Sequence, residues 1–267
     1  MLRKNLILAC VVLVLGACGG DDSNLDYPPF PAPTKAPDAA PRPDSDVPPP
    51  VQRLVINEVV VDNVGGDTVE YIELFGEPGT DYSEYTVVIL EGDSNANEGL
   101  ILETFTAGTA DVDGFLPLLE PAVSLQNGSQ TFLLVDTYVA PVEDDLDTDD
   151  DGTLDDTPWD AVQDIVALGD EGYFDNGCDM APTPGADLLY LSVSGNSIDA
   201  PLCRPDGGGT DVGGASRIPD GADANLATDW VMNALDGTAE AATQAGNTPG
   251  ASNCIGGSGA CGTDPNA

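Results

Sequence analysis

The chain contains no histidine, and its 267 residues include 7 lysines and arginines against 47 aspartates and glutamates. The first absence removes every Ser–His or Cys–His pair, the commonest form of activated nucleophile. The second removes nucleic acid as a direct partner, because phosphate binding needs Lys and Arg and beyond Arg53 only Arg204 and Arg217 remain. Aromatic residues make up 6%, little for a surface that stacks on sugars or bases. Apolar residues at helical spacing are scarce as well; ANLATDWVMNALDG (224–237) comes closest and reads as a loop or a short helix. GGGTDVGG (207–214) has glycines but no lysine and no following helix, so it reads as a flexible loop rather than a phosphate cradle. What is abundant is acid. The formal charge of −40 favours cations, polar glycans or other proteins as partners, and self-repulsion keeps such a molecule soluble.

MLRKNLILACVVLVLGACGG (1–20) starts with Arg3 and Lys4 and continues in an apolar run from Leu6 to Leu15. That run is shorter than the roughly 20 residues of a spanning helix, and the segment reads as an export signal. Leu15-Gly16-Ala17-Cys18 resembles the lipobox of bacterial lipoproteins at all four positions. The resemblance implies that residues 1–17 are removed and that Cys18 is acylated. Buried acyl chains contribute about 0.8 kcal/mol per methylene, so a multiply acylated Cys18 is a stable membrane anchor. Gly19 after the cysteine suits the outer membrane, which makes the cell surface the expected location. The competing reading is an ordinary secretory signal with a chance cysteine. Loss of Arg3 and Lys4 leaves Lys35, Arg42, Arg53, Arg204 and Arg217, and a net charge near −42.

Cys10 leaves with the signal, so Cys178, Cys203, Cys254 and Cys261 remain beside Cys18. An even number of cysteines in an exported chain suits disulfides. Of the three pairings, Cys178 with Cys203 and Cys254 with Cys261 each close a short loop. A zinc site finds neither a Cys-x-x-Cys pair nor a histidine.

Residues 18–51 carry ten prolines among Asp, Ala and Ser. The segment buries too little apolar surface to order itself and reads as an extended linker of about 3.1 Å per residue, reaching roughly 100 Å. From 52 to 254 the texture changes to short runs of Val, Ile, Leu and Thr separated by Gly, Asp, Asn and Pro. Strands are expected at 54–62, 69–75, 85–91, 99–105, 131–137, 164–169 and 187–193. Asn127-Gly128 is a hairpin signal, since both residues tolerate positive φ. Strands and turns without intervening helices predict an all-β protein, a β-sandwich with long loop insertions. Residues 255–267 read as a flexible Gly-rich tail.

INEVVVDNVGGDTVEYIELFGEPGTDYSEYTVVILEGD (56–93) resembles the opening of a bacterial lamin tail domain. TPWDAVQDIVALGDEG (157–172), ASRIPDGADANLATDW (215–230) and NTPGASN (247–253) resemble closing segments of longer members. The match touches most of 53–254 in patches, in order. It implies an immunoglobulin-like sandwich on a surface or secreted protein, often beside hydrolase domains. The turn GEPGTDYSE and the acidic insert at 143–156 depart from the pattern, and the chromatin link of animal lamin tails is incompatible with the charge here.

Glu58, Glu70 and Glu73 fall on strands expected to be neighbours. A cation site or a glycosidase-type acid/base pair is one reading; solvent-facing or hydrogen-bonded structural glutamates is the other, and no catalytic residue is assigned. DTDDDGTLDD (147–156) matches the calcium loop D-x-[DN]-x-[DN]-G, with Asp147, Asp149 and Asp151 at positions 1, 3 and 5 and Gly152 at the sharp turn. The Thr153 carbonyl and Asp155 stand at positions 7 and 9, and Leu154 at apolar position 8. Calcium takes six to eight oxygens at about 2.3–2.6 Å, and alternate spacing lets three carboxylates point inward. Pro158 replaces the bidentate Glu of position 12, so the loop resembles thrombospondin type 3 or dockerin repeats more than a complete EF-hand, with Asp156 or Asp160 available to complete the shell. The competing reading is an open, solvated acidic insert.

These residues predict a non-enzymatic surface lipoprotein whose sandwich binds or assembles with an unknown protein or glycan, stabilised by calcium. Alternatives are a carbohydrate-binding module, for which Tyr82, Tyr85, Tyr138, Trp159, Tyr173 and Trp230 are the candidate aromatics, an accessory subunit of a surface hydrolase, and a carboxylate-only hydrolase.

Overall fold

β-Branched and aliphatic runs punctuated by turn residues form strands throughout the computed structural model, which describes residues 53–63, 70–94, 96–118, 125–170, 173–174, 187–203, 212–238 and 244–256. In chain order the strands are β1 (Val55–Val60), β2 (Tyr71–Phe75), β3 (Tyr85–Glu91), β4 (Ile101–Thr106), β5 (Phe115–Leu118), β6 (Gln130–Asp136) and β7 (Val162–Gly169). The short β8 (Ser192–Val193), β9 (Asn196–Ser197) and β10 (Leu202–Cys203) precede β11 (Val212–Arg217) and β12 (Trp230–Ala234). One five-stranded sheet runs β12-β11-β1-β2-β5, the other β10-β7-β6-β3-β4, and β8 and β9 form a small ribbon. The protein is an immunoglobulin-like β-sandwich.

The core lies between the sheets, with Ile56, Val59, Ile72 and Leu74 from the first and Val87, Ile89, Phe132, Leu134 and Val166 from the second. At roughly 25 cal/mol per Å² of apolar surface removed from water, this layer is the main stabilising term. β1 is buried throughout, and β3 and β6 are buried apart from one end residue each, because loops cover the outer side of each sheet. Residues 187–198 lie over the second, where the Tyr190 N–H donates to Thr131 Oγ1 at 3.0 Å. Residues 244–256 lie over the first, Ala245 bridging to Asn233 of β12.

Several expected boundaries shift for local reasons. Residues 187–193 contribute only Ser192–Val193 as strand, since their backbone bonds to Gly92 and to the Thr131 side chain instead of a ladder. β5 holds Pro117, which suits its place at a sheet edge where the missing N–H costs nothing. The loop expected at 207–214 supplies the start of β11: a Cβ at Gly214 would stand 1.9 Å from the Val59 carbonyl oxygen, so glycine is what lets β11 approach β1. Residues 224–237 form a 3₁₀ turn at Ala227–Asp229 and then β12. Asn127-Gly128 does not head a hairpin, because β6 already has β3 and β7 on its two edges; a Cβ at Gly128 would instead collide with the Asp93 carboxylate. Cys18, the linker at 18–51, Cys178 and Cys261 lie outside the described residues.

Candidate functional site

Two groups of acids stand out, the first buried and the second a mixture of buried and exposed carboxylates. The first begins in β1. A register shift between Ile56 and Glu58 interrupts the strand's alternation, so Ile56 and Val59 both join the core while Asn57 and Glu58 enter one polar network. Glu58 Oε1 accepts from Ser216 Oγ at 3.0 Å and Asn233 Nδ2 at 2.7 Å. Asn57 Nδ2 donates to Glu73 Oε1 at 3.1 Å and to Asp220 Oδ1 at 3.0 Å. The closing segment 247–253 lies across these acids. Its N–H groups reach one carboxylate each: Thr248 to Glu58 at 3.3 Å, Gly250 to Glu73 Oε2 at 2.5 Å, Asn253 to Asp220 Oδ1 at 3.0 Å.

Burial pushes Glu73 up to about 8, although the Gly250 N–H and the Asn57 amide favour its charged form. Burial also raises Glu58, against bonds from Tyr71, Asn233, Ser216 and Thr248. Beneath them the wholly buried Arg217 makes two 2.7 Å bonds to Asp164 across the sandwich and a third, also 2.7 Å, to the Ile56 carbonyl. Its guanidinium carbon sits 4.6 Å above the Trp230 ring. Burial lifts Asp164 to about 6 even with that guanidinium pulling it down. Glu58 and Glu73 are buried and hydrogen-bonded rather than solvent-facing, and Glu70 accepts from the Leu125 N–H.

The second group contains the loop at 147–155. Asp147 is wholly buried; its Oδ1 accepts from the Asp151 N–H at 3.2 Å and its Oδ2 from Gly152 N–H at 2.9 Å and Tyr190 Oη at 2.9 Å. Gly152 turns the chain with φ +83°, a conformation glycine adopts without cost. One carboxylate oxygen each from Asp147, Asp149 and Asp151 lie within 4.8 Å of one another. Two ligands of one calcium ion stand at most about 5 Å apart, twice the metal–oxygen distance, so the hard oxygen donors here fit that ion. The Asp151 charge, above all, raises Asp149. Asp155 closes the loop instead, its Oδ2 accepting from Thr148 N–H at 3.0 Å and Oγ1 at 2.5 Å. Thr153 donates its N–H to Asp151 Oδ1 at 2.9 Å, and Asp156 caps the Thr157 N–H at 2.8 Å.

Two features of this end escaped the sequence reading. Asp93, Asp170 and Asp187 bring a carboxylate oxygen each within 4.8 Å of the others, drawn from segments 77 and 17 residues apart in the chain. Glu98 is 8% exposed, makes no hydrogen bond among the described residues, and sits in the field of Asp150, Asp187, Asp147 and Glu91. Like charges 4 Å apart repel by about 1 kcal/mol in water and about 4 at an effective dielectric of 20. Only the pattern at 147–152 was legible as a motif; an isolated Asp or Glu in a loop carries no periodic signal.

The candidate aromatics divide by burial. Tyr82, Trp159 and Trp230 belong to the core, while Tyr85, Tyr138 and Tyr173 are partly buried. Cys203 and Cys254 are not free thiols. Set against known proteins, the chain matches no family model, no curated protein and no solved structure.

Proposed function

We propose that this chain is a non-enzymatic cell-surface lipoprotein whose lamin-tail-like sandwich presents loops for binding, adhesion or assembly, with calcium stiffening the loop at 147–155. The observation that carries the calcium reading is Asp147, a fully buried carboxylate that organises the loop's turn and stands beside Asp149 and Asp151 at the spacing of one ion's ligands. A bound ion would supply charge neutralisation and nothing redox or nucleophilic. Asp147 would pass that order inward, since Tyr190 ties its carboxylate to the segment lying over β6. The lipobox supports lipidation of Cys18 and an outer-membrane anchor. The lamin-tail resemblance gains support from where its patches meet: Glu58, Glu73, Asp164, Arg217, Trp230 and Thr248, from four separate patches, share one buried network. Pairing of Cys178 with Cys203 and of Cys254 with Cys261 belongs to the same proposal.

Melting of the full chain in EDTA, in calcium and in magnesium tests this. A ligand specific for the folded state contributes about 2.7 kcal/mol at a hundredfold excess over Kd, a rise of about 5–10 °C for a domain of this size. The rise should be calcium-specific and absent from a variant carrying Asp149→Asn and Asp151→Asn. An equal response to magnesium, or in that variant, removes calcium from the proposal.

A further inference from the structure

Residues 125–129 lead into β6, and most of them are tied down. The Leu125 N–H donates to Glu70, the Gln126 carbonyl accepts from the Gln130 side chain, and the Ser129 N–H donates to Asp93 Oδ1 at 2.8 Å. Between these anchors Asn127 and Gly128 form a bend, the first exposed and the second partly so. Neither makes a hydrogen bond among the described residues. Gly128 is fixed by packing, since a Cβ there would stand 2.3 Å from Asp93 Oδ2. Packing against that carboxylate thus selects the one residue whose missing side chain leaves its own backbone nitrogen unshielded.

That nitrogen follows an asparagine, and the pair can react within the chain. Once the Gly128 N–H gives its proton to hydroxide, the nitrogen attacks Asn127 Cγ. The new N–Cγ bond forms as the Cγ–Nδ2 bond breaks, and Nδ2 takes up a proton and leaves as ammonia. Water then opens the five-membered succinimide at Cγ to give aspartate, or at the Asn127 main-chain carbonyl to give isoaspartate. One water enters, one ammonia leaves, and nothing is oxidised or reduced. Nucleophile and carbonyl are neighbours already, so the step needs only a bend free to bring them into line. Asn196 shows the opposite case. It precedes the small Ser197, yet its Nδ2 donates to the Gln163 carbonyl at 2.7 Å and its Oδ1 accepts from the Ser197 N–H at 2.8 Å, which holds amide and nucleophile in place. Among the described residues no other asparagine precedes a glycine.

We propose that Asn127 is a self-modifying site that deamidates in the folded protein through the Gly128 nitrogen, and that its isoaspartyl product loosens the start of β6. Isoaspartate routes the main chain through Cβ, which lengthens the path to Ser129 while the Ser129 N–H is anchored on Asp93. Either product adds a carboxylate beside that residue.

The test is site-resolved mass spectrometry of the full chain aged at pH 8, read from peptic fragments taken in acid, beside a free peptide spanning 123–132. Asn127 in the folded chain should convert faster than Asn196 and at no less than about a tenth of the peptide's rate, a barrier raised by at most about 1.4 kcal/mol. Slower conversion, or a rate no greater than that of Asn196, overturns the proposal, because the fold then holds the bend away from ring closure. Aged parent should melt below fresh parent, whereas Asn127→Gln, whose longer side chain closes its ring far more slowly, should keep its Tm. That variant also controls for Asn176-Gly177, which lies outside the described residues and ages in both chains. A converted parent with an unchanged Tm overturns the loosening of β6, and the parent's own fragments decide the modification should the variant fold poorly.

Discussion

Glu73 and Glu98 are both buried glutamates of the same sandwich, and they occupy opposite situations. Around Glu73 the chain supplies donors in step with its acids: the Asn57 amide, the Gly250 N–H, and nearby the Arg217 guanidinium for Asp164. Around Glu98 it supplies further acids, Asp150, Asp187, Asp147 and Glu91. Residue type does not decide the situation of a buried carboxylate here; the local balance of donors does. Where the backbone of residues 247–253 provides the N–H groups, carboxylates close the fold. Where acids gather around Glu98, burial and their charges push its carboxyl toward the protonated form.

The sharpest way to break this contrast is to unbalance the satisfied group. Arg217→Met leaves Asp164 buried without its partner and removes the contact over Trp230. Loss of one member of a buried pair costs about 3–5 kcal/mol, read from urea unfolding midpoints. Adding Asp164→Leu should restore most of it, because an apolar pair needs no donors. A loss under about 1 kcal/mol would mean that this group is not held by its ion pair at all.

A smaller effect follows from Glu73. Its folded pKa, about 8, lies above its ordinary value of 4.5, so the folded state binds the proton more tightly. Its contribution is complete below pH 4.5 and lost as pH rises through about 8. Glu58 is raised in the same direction, and Asp164 to about 6. Calcium-free protein should therefore lose a few kcal/mol between pH 5 and pH 8, the reverse of ordinary acid lability, and Glu73→Gln should flatten that slope. The calcium increment should run the other way and grow with pH, since protons compete with the ion for carboxylates. Unfolding midpoints at four or five pH values, with and without calcium, separate the two trends; a Glu73→Gln variant with the parent's slope would contradict the first.

Sequence reached the sandwich because its evidence is local. The apolar runs of β1, β3, β6 and β7 are bounded by turn residues, and their type follows from composition. It missed β11, whose Gly213 and Gly214 look like loop and are there for close approach to β1, and β5, whose proline is tolerated only at an edge. At the candidate site, Asp147, Asp149 and Asp151 were legible through their alternate spacing around Gly152. Asp93, Glu98, Asp170 and Asp187 were not, because nothing but the folded topology places them together. Glu58 and Glu73 were legible as neighbours and not by their partners, since the segment that bonds them lies 190 and 177 residues on in the chain.

Glu98→Gln brings the comparison to a single atom's charge. In EDTA it removes repulsion from several acids at once and should stabilise the protein by about 1 kcal/mol, the scale of one like-charge pair at 4 Å in water. Glu73→Gln should stabilise at pH 8 as well, so calcium-free unfolding alone does not tell the two sites apart. Calcium does. If Glu98 faces a bound ion, its gain in EDTA must turn into a loss at saturating calcium, whereas the gain from Glu73→Gln must be the same in both. Equal gains for Glu98→Gln in EDTA and in calcium would put Glu98 with Glu73, as a carboxylate the fold tolerates and no ligand uses.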